Sequence, residues 1–467
     1  MAMIVQKKSA KPLKPQTRYF VLSKFEGNGN VKKDGKLPCL GCDEGYNFEC
    51  KNNMLVEARG FGKIKLEGGS EVAKLPENVG EGKLFFVRTT ATEKGSGKLI
   101  FCHDRGLEIL DLEKDAKWQH LDIDEKVASV TDYNYMGRDL ALLGGEGGTT
   151  YVLENQTLTK VLTDKVIVQL LSHNERIFAL VKGGNNSVWF SDVFNPFDWE
   201  VSLSGGGYLE CDNSPGVINK LVSMGDYLYL FCDYGIYRLT CYSLQSQFEL
   251  KKVYSSGEKI LGESVASTQN KIVFCTKDNA YSYDYYGVKR LNVDLETMTS
   301  QNNSIKSAVA KQNQVYIVTQ NAEIIIYDVE KGNYCVVNGY QTGDLTNVEA
   351  KNLSAIVARS KYSEELVMTT DVGEDCVTQC ARSWKIKDVD LGQPNRLKNI
   401  RYAEYKVSAQ TTLFVTADGV KYEFPLTQRS NKVAINVKGK NFDFELFNDT
   451  ATIKIAPVEL RIDLLRC

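Results

Sequence analysis

Short apolar runs separated by turn residues characterise most of this chain. In the clearest example, two apolar-aromatic runs at 227–232 and 236–239 flank a short turn that ends in Gly235. Such a pair of runs predicts a tight antiparallel β-hairpin. Apolar residues at helical spacing are nearly absent, and 294–310 is the one stretch for which the sequence favours a longer helix.

The hairpin pattern recurs along the chain. Each copy has a polar residue, a β-branched or aromatic run, a Gly or Asn turn, and a second run that often ends in Asp. The copies start near Lys98, Asp139, Glu175, Asp226, Asn270, Asn313 and Glu364. Successive starts are about 36 to 51 residues apart, which spans the repeat length of four-stranded propeller blades.

A closed ring explains this repeat better than other all-β architectures. A single four-stranded sheet exposes both faces and both edges, whereas sheets stacked around an axis bury their faces against each other. A β-sandwich would also contain many short strands, but it would not repeat one motif at this period. We therefore predict an all-β protein with a propeller of about seven blades.

The pattern divides the chain into three parts. Residues 1–70 are expected to form an extended basic N-terminal arm and β segments outside the repeat, and residues 71–392 the propeller. Residues 393–467 alternate between strands and turns, which predicts a small sandwich-like all-β domain. This last domain could share strands with residues 19–66.

Composition places the chain among ordinary globular proteins. Apolar residues make up 43%, charged residues 25%, and the net charge is -2, so no global charge favours nucleic acid or membrane. No export signal or long apolar segment is evident, and we expect the protein to fold in cytoplasm with its cysteines reduced. Three cysteines, Cys102, Cys232 and Cys275, end apolar runs and are expected to act as small buried hydrophobes.

The role of two segments of the sequence is left open between two alternatives each. Cys39, Cys42 and Cys50 have half the spacing of a zinc site, and whether they bind metal or are structural stays undecided. Residues 1–18 are basic and contain no acid, so they form either a solvated tail or a contact arm ordered by a neighbouring subunit or a nucleic-acid backbone. The basic residues of this arm are Lys7, Lys8, Lys11, Lys14 and Arg18.

The sequence offers little chemistry. Residues 95–98 resemble half of a phosphate loop, but the rest of that motif is missing. His103, His120 and His173 are too scattered in the sequence to nominate a catalytic triad or a histidine-based metal centre. We predict no catalytic residues, no metal, no cofactor and no enzymatic activity.

The aromatic segment 188–199 is constrained by its own residues. Ser191 and Asp192 are expected to end a short strand by bonding backbone groups, and Pro196 restricts the loop that follows. We expect Trp189, Phe190 and Trp199 to pack in the core or between blades.

This segment and the hairpin after it resemble a family of virion proteins from tailed bacteriophages. The resemblance extends loosely to 52–62 and to the strands of 400–465. The residues that carry it most clearly are Trp189, Phe190, Ser191, Asp192, Pro196, Trp199, Tyr227, Phe231, Gly235 and Tyr237.

The family resemblance implies a β-propeller protein that stabilises packaged DNA or serves in head closure or the tail. We accordingly expect a structural virion protein, assembled in the host bacterial cytoplasm, that joins or closes the head-to-tail channel as part of a symmetric ring. Its expected partners are portal, adaptor or tail components; DNA passes nearby without specific binding, and no membrane is involved. The alternative is a propeller binding module, either a carbohydrate-reading tail or surface protein or a general interaction scaffold.

Overall fold

The computed structural model is almost entirely β-structure, as predicted. One short 3-10 helix, Gln245–Gln247, is the exception within the described residues. Among those residues, no helix has the length and apolar character that crossing a membrane requires. The structure describes residues 16–22, 43–66, 74–77, 79–89, 96–113, 117–183, 186–202, 205–211, 213–242, 244–291, 305–320, 323–339, 342–351, 353–360, 366–370, 381–392, 394–449 and 453–465.

The described residues divide into two compact units. The second unit comprises 16–22, 43–57, 381–392, 394–449 and 453–465, and the propeller unit comprises the remainder. Five strands precede the first repeat: β1 (Gln16–Leu22), β2 (Glu44–Tyr46), β3 (Phe48–Lys51), β4 (Met54–Glu57) and β5 (Gly60–Lys63).

Six sheets of the propeller unit each use four consecutive antiparallel strands. Sheet 1 consists of β6 (Gly82–Thr89), β7 (Ser96–His103), β8 (Gly106–Asp111) and β9 (Trp118–Leu121). Sheet 2 consists of β10 (Val127–Tyr135), β11 (Arg138–Gly145), β12 (Thr150–Glu154) and β13 (Thr157–Leu162). Sheet 3 consists of β14 (Ile167–His173), β15 (Arg176–Val181), β16 (Ser187–Phe190) and β17 (Gly207–Glu210). Sheet 4 consists of β18 (Ile218–Met224), β19 (Tyr227–Cys232), β20 (Gly235–Thr240) and β21 (Glu249–Ser255). Sheet 5 consists of β22 (Leu261–Ser267), β23 (Ile272–Cys275), β24 (Ala280–Asp284) and β25 (Gly287–Leu291). Sheet 6 consists of β26 (Ile305–Lys311), β27 (Gln314–Thr319), β28 (Ile324–Asp328) and β29 (Asn333–Val337).

A seventh four-stranded sheet takes its last strand from the start of the chain. It contains β30 (Thr342–Ala350), β31 (Leu353–Ser360) and β32 (Leu366–Thr370), and its fourth strand is β5. The pairing of β5 with β32 is antiparallel, with Gly62 opposite Met368. The propeller unit is therefore closed by a strand that precedes its first sheet in sequence.

The first strands of the seven sheets form a continuous inner ring. Each contacts the first strand of the next sheet, and β30 contacts β6 to complete the circle. The fold of this unit is thus a β-propeller, as the repeat predicted.

Polar side chains connect neighbouring strands of the inner ring. Ser129 Oγ accepts from the Leu170 amide at 2.9 Å, and Gln169 exchanges two hydrogen bonds with the Leu221 backbone. At the closing junction, Asp344 Oδ2 accepts from the Leu84 amide at 3.0 Å. Ser129, Gln169 and Asp344 each follow a register shift in their strand, a device that redirects a side chain.

Apolar side chains fill the spaces between sheets. The closing junction packs Leu99 and Phe101 of sheet 1 with Val348 and Val357 of sheet 7. Because central strands are covered on both faces, they read as continuous apolar runs instead of alternating ones; every residue of Ile272–Cys275 is buried.

The second unit combines strands from both ends of the described sequence. Its sheets have the orders β1-β40-β34-β37, β2-β33-β38-β35-β36 and β3-β4-β39. Burial alternates along β35 and β38, as in a sheet with one buried face. The strands are β33 (Arg382–Val389), β34 (Lys398–Glu404), β35 (Thr411–Ala417), β36 (Val420–Leu426), β37 (Lys432–Gly439), β38 (Phe442–Asn448), β39 (Lys454–Ile455) and β40 (Val458–Leu464).

These pairings displace the boundaries predicted at residues 70 and 392. Strands β1, β2 and β4 pair with C-terminal strands, as considered for 19–66, and β3 pairs with β4. Strand β5 instead belongs to a propeller sheet and not to a segment outside the repeat. At the other end, β33 belongs to the second unit because it pairs with β38.

Two further sequence predictions need correction. Six of the hairpin copies are the second and third strands of their sheets, but the copy placed near Glu364 starts at the third strand, because β31 already occupies the second position. The helix predicted at 294–310 is wrong for 305–310, which form β26; pairing with β27 overrides the helix propensity of its alanines. Residues 294–304 lie outside the described residues.

Candidate functional site

The segment with the strongest family resemblance is organised around a buried arginine. Arg176 Nη1 donates to Ser191 O at 2.7 Å and to Gly205 O at 3.3 Å. Ser191 Oγ accepts from the Ile177 amide at 3.0 Å, and Asp192 lies 4.0 Å from the guanidinium. Sequence reasoning missed Arg176, whose position at the start of an apolar run gave no sign of this contact.

The aromatic residues of this segment are placed between sheets. Phe190 packs with residues of sheet 4, and Trp199 packs between sheets 2 and 3. The indole N–H of Trp199 donates to Pro196 O at 2.9 Å. Trp189 is only half-buried and stacks on Tyr208, with ring centroids 5.0 Å apart.

The predicted hairpin at 227–239 is present in sheet 4, where Cys232 pairs with Gly235 across the turn. Phe231 is fully buried against Phe274 of sheet 5. Tyr227 is half-buried beneath the Arg238 guanidinium, and the Tyr237 hydroxyl donates to Asn213 O. Several of the motif residues, such as Phe190, Trp199 and Phe231, therefore pack between neighbouring sheets.

The predicted contact arm is described only at its end. Lys7, Lys8, Lys11 and Lys14 lie outside the described residues. Arg18 is exposed in β1 and stands opposite Ile462 of β40, so residues 16–18 belong to a sheet and not to an extended arm.

The cysteine predictions are described in part. Cys39 and Cys42 lie outside the described residues, and Cys50 is half-buried in β3. Burial raises the pKa of the Cys232 and Cys275 thiols to about 12. Both thiols therefore stay protonated and uncharged near neutral pH, which suits their place among buried apolar side chains.

One face of the propeller unit carries exposed apolar side chains. In an antiparallel four-stranded sheet, the first and third turns lie at the same end of the sheet, so these turns from all sheets share one face of the ring. Exposed apolar residues occur there in four consecutive sheets. They are Met136 in sheet 2, Phe194 and Val201 in sheet 3, Tyr242 and Leu244 in sheet 4, and Tyr285 and Tyr286 in sheet 5; we call these residues the loop face.

Hydrogen bonds and packing join the turns beneath the loop face. The Phe194 amide and the Tyr133 hydroxyl both donate to Glu175 O at 2.8 Å. Asn174 of sheet 3 donates to Asp226 O of sheet 4 at 3.2 Å. The Tyr285 hydroxyl occupies the space that a Cβ at Gly225 would need. These contacts link the turns of sheets 2 to 5 beneath the loop face.

A serine and a histidine also meet at this end of the ring. His173 Nδ1 lies 2.8 Å from Ser223 Oγ, and His173 Nε2 lies 3.0 Å from Asn174 Nδ2. The partner of the second ring nitrogen is an amide and not a carboxylate, unlike in a Ser-His-Asp arrangement. Burial lowers the pKa of His173, and we interpret the contact as a link between sheets 3 and 4.

The other two histidines, distant in sequence, meet in sheet 1. His120 Nδ1 lies 2.7 Å and His103 Nε2 lies 3.4 Å from the same oxygen, Glu108 Oε1. Burial lowers the pKa of His103, whereas the bond to Glu108 raises the pKa of His120. The two histidines are distant in sequence, but three consecutive strands bring both of them against one carboxylate.

Comparisons with known proteins report similarity to other propellers. No protein-family model matches the chain, and no curated protein does either. Solved structures that resemble it include BamB from Moraxella catarrhalis, with a TM-score of 0.43 and 9% identity over 70% of this chain and 94% of that one. The Cps50 (Swd1) β-propeller domain from Myceliophteria thermophila gives a TM-score of 0.46 and 14% identity over 63% of this chain and 100% of that one. The computationally designed protein Ika8 gives a TM-score of 0.45 and 14% identity over 70% of this chain and 98% of that one.

Proposed function

We propose that this chain is a non-enzymatic structural virion protein of a tailed bacteriophage or prophage. It joins or closes the head-to-tail channel as one copy of a symmetric ring, and it binds neighbouring portal, adaptor or tail proteins through the loop face. The observation that carries the binding role is the run of exposed apolar side chains across four consecutive sheets. Contiguous exposed apolar residues on a folded protein mark interaction surfaces.

The geometry of the propeller unit favours binding through loops. A closed ring has no free sheet edge, so partners cannot add a strand to it and must contact turns or segments outside the ring. Met136 and Phe194 combine high exposure, 82% and 58%, with left-handed backbone angles of φ 49° and 59°. Bulky residues seldom adopt this conformation, and its cost is typical of functional surfaces.

The setting in a virion rests on the resemblance of 188–239 to the phage family. In that segment the Ser191 hydroxyl accepts from the Ile177 amide and the Phe190 ring packs against the Arg176 guanidinium, so both side chains have a structural role. An alternative is a binding module that serves outside a virion, such as a carbohydrate-reading surface protein. Tyr286, 97% exposed beside Tyr285, offers this alternative a ring face on which a sugar can stack.

A pair of substitutions tests the binding role. The double variant Met136→Ser, Tyr286→Ser removes two of the most exposed loop-face side chains, and its melting temperature should equal that of the wild type because neither side chain is buried. A matched double variant, Val217→Ser, Tyr234→Ser, changes two exposed residues at the opposite end of sheet 4. We expect the loop-face variant, and not the matched variant, to be depleted from purified particles.

Each result has a distinct meaning. If mass spectrometry does not detect this protein in particles purified from the induced source strain, the virion assignment is wrong. The binding module that serves outside a virion then replaces it. If the protein is present and the loop-face variant is incorporated as well as the wild type, the assignment of the contact surface is wrong.

A further inference from the structure

Three neighbouring strands of sheet 1 place two histidines and a glutamate on one side of the sheet. Glu108 of β8 stands opposite Phe101 of β7 and opposite His120 of β9. His103 lies two residues beyond Phe101, and residues two apart in a strand point to the same side. The ligand atoms of His103, Glu108 and His120 all lie within 4.8 Å of one another.

The spacing of these atoms approaches that of ligands around one zinc ion. Two bonds of about 2.0 to 2.1 Å at a tetrahedral angle place their ligand atoms about 3.3 Å apart. His103 Nε2 and Glu108 Oε1 are already 3.4 Å apart. The separation of His120 Nδ1 and Glu108 Oε1, 2.7 Å, needs to widen by about half an ångström. His120 is half-exposed, so its ring has room to move.

A second observation points to a ligand at this place. Nε2 of His103 belongs to a side chain that is only 2% exposed, and its contact with Glu108 Oε1, at 3.4 Å, is too long and poorly aligned to count as a hydrogen bond. Buried polar atoms almost always have a partner, and one that lacks it requires an explanation. A metal ion bound between His103 and Glu108 would replace this long contact with a direct bond to each of the two atoms.

The surroundings also suit a cation. His120 Nε2 lies 3.2 Å from Asp122 Oδ1, the arrangement in which a carboxylate orients a metal-binding histidine through its second nitrogen. Asp104 adds a further negative charge beside His103, partly offset by Lys126 at 3.7 Å from that carboxylate.

We propose that His103 Nε2, Glu108 Oε1 and His120 Nδ1 bind a Zn²⁺ ion, with a water molecule as the fourth ligand. Two imidazoles and one carboxylate form a ligand set typical of zinc with an open position. The exposed side of His120 is where the water, or a ligand from a partner protein, reaches the ion. The ion ties the outer strand β9 to β7 and β8, and thereby stiffens one end of sheet 1 opposite the loop face.

Binding requires one rearrangement of a proton. The Arg105 amide donates to His103 Nδ1 at 3.2 Å, so the neutral ring carries its proton on Nε2. To coordinate through Nε2, the ring must carry that proton on Nδ1, and the Arg105 amide must turn toward water. Both residues of this turn, Asp104 and Arg105, are exposed, so water can replace the lost contact.

The test is a titration of the purified, chelator-treated full chain with ZnSO₄, followed by calorimetry. We expect the wild type to bind one equivalent at this site and His120→Gln to bind it at least about 100-fold more weakly. His120 is half-exposed, so its substitution should leave the fold intact; an unchanged far-UV spectrum and melting temperature of the metal-free variant check this. The variant Cys50→Ser is the matched control, because it disrupts only the alternative cysteine-based site.

Cobalt identifies the ligands independently. Co²⁺ bound by histidine and carboxylate lacks the thiolate charge-transfer band that a site built on Cys39, Cys42 and Cys50 would show. The proposal is supported if the Co²⁺ spectrum lacks that band and binding is lost in His120→Gln but kept in Cys50→Ser. It is overturned if no Zn²⁺ binds, if His120→Gln binds as well as the wild type, or if binding disappears in Cys50→Ser.

Discussion

At the scale of single residues, aromatic side chains fill spaces between the sheets of the propeller unit. Trp199 is 5% exposed between sheets 2 and 3, and its indole N–H is bonded to Pro196 O. Trp199 thus links two positions of the loop that follows β16, and its ring fills the space between sheets 2 and 3. Its neighbour Phe194 lies on the same loop with an exposed ring.

Trp199→Ala should therefore lower the free energy of unfolding by about 3–5 kcal/mol, because it leaves a cavity between two sheets. Phe194→Ala, in the same loop, should change it by less than about 0.5 kcal/mol. Chemical denaturation monitored by circular dichroism measures both. A Trp199→Ala variant as stable as Phe194→Ala would show that the indole does not support the core.

Asp233 gives the turn of sheet 4 a dependence on pH. Burial raises the pKa of this carboxyl, but hydrogen bonds from Asn219 and the Val217 amide and the Lys259 ammonium at 3.1 Å outweigh it, and the net pKa is lowered. A lowered folded-state pKa means that the stabilisation is fully present above the unfolded-state value, about 3.9. It is lost as the pH falls through the folded-state pKa.

The variant Asp233→Asn should accordingly melt at a lower temperature than the wild type at pH 6. The two melting temperatures should converge as the pH falls below about 4. Thermal melts of both proteins across this range measure the effect. A difference that grows toward low pH would contradict the assigned sign.

At the scale of the strand, the junction between the first and last sheets determines whether the ring stays closed. Asp344 of β30 accepts from the Leu84 amide of β6 across this junction. Asp344→Ala leaves that amide without its partner, and we expect a loss of about 1–3 kcal/mol. Asp344→Asn keeps an oxygen acceptor and should lose less. Equal losses in the two variants, measured by denaturation, would mean that the hydrogen bond does not matter.

The sequence predicts those strands whose pairing partner lies nearby in the chain. The hairpin at 227–239 is visible because a turn and two apolar runs adjoin each other. The strand Gly60–Lys63 contains two glycines in four residues and resembles a turn, and only pairing with β32 makes it a strand. For the same reason, the spacing of His103, Glu108 and His120 shows nothing until the register of three strands is known.

At the scale of the whole molecule, we expect strand β1 and the basic residues that precede it to have separable roles. Strand β1 lies at a sheet edge and pairs with β40, and Thr17 donates to Asp463 at 2.9 Å. The basic residues Lys7 to Lys14 precede this strand. Stability and assembly should therefore respond to different deletions.

Deleting residues 1–15 should leave the melting temperature unchanged and, under the proposed function, reduce incorporation into particles. Deleting residues 1–22 removes β1, exposes the edge of β40 and should lower the melting temperature and promote aggregation. Calorimetry and size-exclusion chromatography of the two proteins separate these outcomes. A shorter deletion that destabilises the chain as much as the longer one would refute the division.

Closure of the ring by β5 also has a consequence for synthesis on the ribosome. Gly60–Lys63 emerges before any propeller sheet, whereas its partner Leu366–Thr370 emerges after six sheets have been made. At typical elongation rates this interval lasts on the order of tens of seconds. During that time Gly60–Lys63 lacks its partner strand, and the ring lacks its seventh sheet. A second nascent chain on the same messenger can supply the missing strand in place of the chain's own, so strand-exchanged dimers are the misfolded product that this topology invites.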